Sequence, residues 1–81
     1  MYEILISDKA KKQLKKLPSN IRDIILNKVF SIRYNPFRYV KKLEGSKLWR
    51  LRIMDYMAII DILISGNKII VLTVDKRERV Y

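Results

Sequence analysis

The 81-residue chain is expected to fold as an α+β domain with the order strand, helix, helix, strand, strand, strand (β-α-α-β-β-β). Three observations predict it. A short β-branched start is followed by apolar residues at helical spacing, the last third runs at strand spacing, and tight turn residues separate the final segments. Apolar residues make up 49% of the chain, with only two glycines and two prolines, which suits a packed domain rather than a disordered one.

Residues 2–7 read as a buried strand, followed by a helix-start signal at Ser7-Asp8. Over residues 8–17, Ala10, Leu14 and Leu17 share one helical stripe, while Lys9, Lys11, Lys12, Lys15 and Lys16 fill the rest. Pro18 ends that helix. Ser19 or Asn20 can cap a second one running to about residue 34, with Ile21, Ile24, Ile25, Val29 and Ile32 as its inner face and Leu26 and Phe30 widening it. The short join implies an antiparallel helical hairpin.

Asn35-Pro36 breaks the second helix, because a residue before proline is pushed out of the α region. Residues 37–47 are expected to form a loop with its turn at Glu44-Gly45-Ser46, and strands follow over residues 48–54, 56–64 and 68–74. The joins at Met54-Asp55-Tyr56 and Ser65-Gly66-Asn67 are tight enough to make these an antiparallel meander. The helical hairpin packs on one face of the meander and leaves the other partly open. Strand parity sends Trp49, Leu51, Ile53, Tyr56, Ala58, Ile60 and Ile62 to the helix side, and puts Arg50, Arg52, Met57, Ile59 and Asp61 on the open face. Trp49 and Tyr56 are therefore read as core. Residues 1–81 form one domain, with no room for a second.

With 18 Lys and Arg against 8 Asp and Glu, the formal charge of +10 favours nucleic acid, an anionic membrane or an acidic protein as partner. The chain has no cysteine and no histidine. Disulfides, thiolate metal sites, the usual zinc ligands and a Ser-His-Asp hydrolase are thereby excluded, and no metal or cofactor is expected. Any chemistry falls to Lys, Arg, Tyr and carboxylates. The N-terminus lacks signal-peptide features and the longest apolar run, residues 56–64, is interrupted by Asp61, so a cytosolic protein without membrane association is expected.

The most informative stretch is Asp75-Lys76-Arg77-Glu78-Arg79-Val80-Tyr81, a basic cluster closed by a tyrosine after an apolar strand. Upstream, Trp49-Arg50-Leu51-Arg52-Ile53 alternates so that Arg50 and Arg52 share one face. Guanidinium groups suit the binding of phosphate and the neutralising of charge that grows on its oxygens. The structural alternative for Arg50 and Arg52 is a solvated strand face or an ion pair with Asp61 or Asp55. Tyr81 either accepts a proton, its pKa lowered by nearby cations, or stacks on a base, or packs on the sheet edge. Lys76 is the fallback acid or base, and Glu78 an ion-pair partner of the arginines. Lys12 and Lys16 of the first helix, with Arg38, Lys41, Lys42 and Lys47, make a broad electrostatic surface for RNA, whose alternative is an ordinary solvated face.

Taken in order, Lys42-Leu43-Glu44-Gly45, Leu48-Trp49-Arg50-Leu51-Arg52-Ile53, Asp55-Tyr56, the strand at residues 69–74, Lys76-Arg77-Glu78-Arg79 and Val80-Tyr81 resemble the RelE/ParE toxin superfamily, and the likeness covers nearly the whole chain. Resemblance to the RelE branch implies a toxin that enters the ribosomal A site and cuts translated mRNA without metal, by attack of the ribose 2′-hydroxyl on the adjacent phosphate. It also implies an acidic, RelB-like antitoxin as partner, which could use the same basic surface and the open apolar positions Met57, Ile59 and Leu63. The family's paired basic residues on the second strand match Arg50 and Arg52, its arginine past the last strand matches Arg77, flanked by Lys76 and Arg79, and its terminal tyrosine matches Tyr81. Met57 departs from the pattern, since the family often has an arginine after the Asp55-Tyr56 pair, and so do the shorter gap between Lys76-Arg77-Glu78-Arg79 and Tyr81 and the lack of a C-terminal helix following Tyr81. Two other readings remain: a ParE-like inhibitor of DNA gyrase that is no nuclease, and a nucleic-acid-binding module without toxicity.

Overall fold

The computed structural model describes residues 1–80, with side chains as far as Glu78. Its elements are β1 (Glu3–Ile6), α1 (Asp8–Lys15), α2 (Ser19–Ser31), two single 3-10 turns (Ile32–Tyr34 and Pro36–Arg38), β2 (Lys41–Lys42), β3 (Trp49–Ile53), β4 (Tyr56–Leu63), β5 (Lys68–Lys76) and α3 (Arg77–Val80). The strands form one sheet in the order β1-β5-β4-β3-β2. β1 runs parallel to β5, and the other neighbours are antiparallel. A parallel neighbour needs a crossover, and the α1–α2 hairpin together with β2–β4 supplies it.

The helices cover one face of the sheet. Ala10 and Leu14 of α1, and Ile25 and Val29 of α2 with Ile32 beyond it, pack on Leu51, Ile53, Ala58, Ile60, Ile62, Ile69, Val71 and Val74. Ile25, Ile60 and Ile69 are fully buried, and each such side chain contributes about 1.5–3 kcal/mol relative to exposure. Trp49 and Tyr56 pack partly against this core, as their strand parity predicts.

α1 also closes the edge of β5 that β1 leaves bare. β1 pairs with β5 only as far as Val71, and from there Ser7 and Gln13 take over. The Ser7 hydroxyl accepts from the Ala10 N–H at 3.0 Å, capping α1, and donates to the Leu72 carbonyl at 2.7 Å. The Gln13 side-chain oxygen accepts from the Thr73 hydroxyl at 2.9 Å and from the Val74 N–H at 2.8 Å. Thus the cap residue of α1 and a side chain from within the helix give Leu72 and Val74 the backbone partners that a ladder strand would give.

Those residues are where β5 changes phase. Ile60 pairs with Val71 but Ile59 pairs with Thr73, so Leu72 is the extra residue of a β-bulge. Before the bulge, odd-numbered residues of β5 face the helices, as Ile69 and Val71 do; after it, Val74 does. Asp75 consequently pairs with Met57 on the far face, and Arg77 follows two residues on in the same phase.

Several details depart from expectation. The meander is part of a five-stranded sheet, the connection at residues 37–47 contains a 3-10 turn and the two-residue strand β2, and a helical turn, α3, follows Lys76. Neither Ser19 nor Asn20 caps α2: the helix starts directly after Pro18, whose extended backbone holds the cap position without a side-chain bond. Ile24 and Phe30 are exposed, because Ile25, Val29 and Ile32, flanked by the partly buried Ile21 and Leu26, complete the stripe that the sheet accommodates. Met57 and Ile59 are buried rather than open, at 3% and 8% exposure. Arg52 is the cross-strand neighbour of Met57 and Arg50 of Ile59, and arginine stems are apolar.

Gln13→Leu removes the acceptor for the Val74 N–H while keeping the apolar bulk. Chemical denaturation should show a loss of about 1–3 kcal/mol, the cost of an unsatisfied buried donor; an unchanged midpoint would mean that the bulge does not depend on this contact.

Candidate active site

Three adjacent strands bring the arginines together. In β3, Arg50 and Arg52 alternate with Leu51 and Ile53, so burying the aliphatic pair turns both guanidiniums to the far face. Cross-strand pairing then lines up Lys41 with Arg50 and Ile59, and Arg52 with Met57 and Asp75. Arg77 joins them because the bulge at Leu72 has reset the phase of β5, and because its N–H continues the ladder to the Asp55 carbonyl at 2.9 Å. The result is a cavity of 160 Å³ lined by Tyr39, Lys41, Arg50, Arg52, Met57 and Arg77.

This cavity has a cationic wall and an apolar floor. Met57 lies at the bottom, Arg50 and Arg77 are half-buried and Arg52 is exposed. Among the described residues the Arg52 Nε makes only a long contact, 3.5 Å, to the Met54 carbonyl, which leaves most of its fork available. The Arg77 Nε is buried and has no hydrogen-bond partner among the described residues. A charged donor removed from water without an acceptor costs more than the roughly 1–3 kcal/mol of a neutral one, and an oxyanion between the arginines would satisfy it. Such a group can bind phosphate bidentately and stabilise added negative charge, but it cannot accept a proton, since arginine stays protonated.

Lys76 stands apart. It pairs with Tyr56, on the opposite phase from Met57, and lines a second cavity of 360 Å³ with Asp55, Arg77 and Glu78. Arg77 forms the wall between the two cavities. Tyr81 and the side chain of Arg79 lie outside the described residues.

The other basic residues expected at an RNA surface are spread over the molecule. Lys41 reaches the arginine cavity, whereas Lys42, one residue on, points to the opposite face with its Nζ 5.3 Å from the Trp49 ring centroid. Arg38 lies beside Tyr39, 6.0 Å from the ring centroid. Lys47 is exposed before β3, and Lys12 and Lys16 are exposed on or just beyond α1, away from the arginine cavity. Tyr39 was not expected at the site. No local signal marks it: Tyr39-Val40-Lys41-Lys42 is two apolar residues followed by two basic ones and so carries no strand alternation.

A sequence model of the ParE toxin family of type II toxin–antitoxin systems matches residues 4–81. Among solved structures, the chain resembles the RelBE2 toxin–antitoxin complex of Mycobacterium tuberculosis (TM-score 0.85, 24% identity, covering 94% of this chain and 98% of the other). It also resembles the RelE–RelB complex of Pyrococcus horikoshii (TM-score 0.82, 28% identity, 96% and 97%). The RelBE complex of Escherichia coli matches as well (TM-score 0.81, 21% identity, 98% and 100%). Among curated proteins no sequence matches.

If the arginines hold phosphate, Arg52→Ala and Arg77→Ala should each weaken binding of a short 2′-O-methyl single-stranded RNA. The slope of log K against log salt should become shallower by about 0.7 in each variant, read by fluorescence anisotropy across a salt series. Slopes equal to that of the parent chain would take these residues out of the phosphate contacts.

Proposed function

The chain belongs to the ParE toxin family of type II toxin–antitoxin systems, within the RelE/ParE superfamily, and from that premise we propose that it is a ribosome-dependent endoribonuclease that cuts translated mRNA in the A site. The supporting observation is the half-buried Arg77, its Nε without a partner among the described residues, set beside Arg50 and Arg52 over an apolar floor. A protein that acts only by docking on another protein has no need of converging guanidiniums in a cavity.

In the proposed reaction the 2′-oxygen of a ribose attacks the adjacent phosphorus. The 2′-O–P bond forms, the bond to the 5′-oxygen breaks, and the products are a cyclic phosphate and a 5′-hydroxyl. Arg77, Arg52 and Arg50 hold the phosphate and neutralise charge on its non-bridging oxygens in the transition state, where preorganised donors contribute most. Met57 removes water from beneath the phosphate, which strengthens those contacts. The 2′-hydroxyl must lose a proton and the leaving 5′-oxygen must gain one. Tyr81 is assigned the first task by family resemblance, and Lys76, next to Arg77, is the alternative donor or acceptor.

The partner proposed for the free toxin is an antitoxin protein. The solved relatives above are complexes of RelE-type toxins with RelB, and a chain of charge +10 favours an acidic one. Lys12, Lys16, Lys47 and Arg38 would add non-specific contacts to ribosomal RNA, and Lys41 and Lys42 further phosphate contacts.

A second reading, inhibition of DNA gyrase without nuclease action, draws support from Met57, which stands where relatives often have an arginine. The two readings separate in cells. Induction of the chain should produce discrete cuts in translated mRNA by primer extension, and Arg77→Ala should reduce cutting at least a hundredfold while retaining the fold, on the scale known for losing one transition-state donor. Intact mRNA together with inhibited supercoiling by gyrase would establish the second reading instead.

A further inference from the structure

The corner formed by the two 3-10 turns has a use that the arginine cavity does not exhaust. Among the described residues, four cation–aromatic pairs fall between residues 28 and 49. Lys28 lies 4.8 Å and Arg38 6.0 Å from the Tyr39 ring centroid, Arg33 lies 4.8 Å from that of Tyr34, and Lys42 lies 5.3 Å from that of Trp49. Phe37 meets Trp49 edge-on at 5.2 Å and is thereby committed to the fold. Tyr39 is different. It is 44% exposed, and it lines the same cavity as Arg50, Arg52 and Arg77.

Its position is fixed from below. Pro36 and Val40 are buried on either side of it, and its N–H donates to the Pro36 carbonyl at 3.0 Å. A large aromatic ring thus stands on an anchored backbone at the rim of a cationic cavity, although burying it would have served the core better. Rigid aromatic faces interleaved with cations are what single-stranded nucleic acid requires: the cations follow the backbone and the rings take unstacked bases.

We propose that Tyr39 is a stacking platform for one unpaired base of single-stranded RNA, the base next to the phosphate gripped by Arg50, Arg52 and Arg77. This rests on the nuclease reading for its substrate but not for its contact. In the free protein Lys28 and Arg38 stand by the ring. A stacked base is the stronger partner for an exposed ring than a solvated cation, so the base displaces one of them. The displaced cation is then free to meet the next phosphate. Since every base offers a π face, the platform fixes where the strand lies and imposes little sequence preference.

The test uses the full chain and short 2′-O-methyl RNA, which cannot be cut, carrying 2-aminopurine at one position. Stacking quenches its fluorescence. Quenching should occur with the parent chain and with Tyr39→Phe, and should be lost with Tyr39→Leu, whose affinity should fall about tenfold. An oligomer abasic at that position should bind the parent chain and Tyr39→Leu alike. Thermal melting of the leucine variant guards against misfolding, and the phenylalanine variant keeps the test decisive if leucine is not tolerated. Equal quenching by the leucine variant, or an abasic oligomer bound as tightly by the parent chain as the intact one, would overturn the proposal. Poly-glutamate bound with the same dependence on Tyr39 would assign the corner to an acidic protein and overturn it too. Failure of the nuclease reading would look different: intact mRNA in cells with quenching preserved.

Discussion

The rest of the structure depends on one extra residue, Leu72, and on what holds it. A bulge in β5 lets Val71 face the helices before it and Val74 after it. Without that shift, an uninterrupted alternation from Ile69 and Val71 would carry Asp75 and Arg77 to the helix side, against a core that, among the described residues, holds no buried polar or charged residue. The bulge is kept in place from the edge: Ser7 holds the Leu72 carbonyl and Gln13 holds Thr73 and Val74. Both belong to the stretch that starts and forms α1, so the helix that covers the sheet also sets the phase of β5. Core and site are built by the same few hydrogen bonds.

The concentration of cations that results has an energetic consequence. Two like charges about 4 Å apart at a protein surface of effective dielectric about 20 repel by about 4 kcal/mol, and by only about 1 kcal/mol in bulk water. Arg50, Arg52 and Arg77 gather around a buried methionine, where charges interact more strongly than in bulk water, and Asp75 on the same face offsets part of the repulsion. An anion removes that cost and supplies an acceptor to the Arg77 Nε. Arginine suits such a place, because its stem is apolar and can lie against a floor such as Met57 while its tip presents charge.

Much of this was legible in the residues. The alternation of β3 fixes which face carries Arg50 and Arg52, since Leu51 and Ile53 must be buried, and the stripe Ala10, Leu14 and Leu17 sets the inner side of α1. The far face was misread as open at Met57 and Ile59 because parity says which way a side chain points and nothing about what lies over it. Ile24 and Phe30 were placed inside because an apolar residue at helical spacing looks the same whether or not the sheet beneath is wide enough to receive it. Tyr39 was passed over because a two-residue strand such as Lys41–Lys42 has no period of its own to detect.

By itself, the sequence determined the order of elements, the charge, the lack of histidine and cysteine, and the pairing of Arg50 with Arg52, since all of these follow from composition or from periodicity within one segment. Tertiary structure alone decided that Arg77 joins them and Lys76 does not, and that Tyr39 stands at the rim. The first outcome rests on a register shift between β4 and β5 and on hydrogen bonds from Ser7 and Gln13 across some sixty residues of chain; the second rests on the burial of Val40 beside Tyr39. No local pattern encodes a contact whose two halves are that far apart.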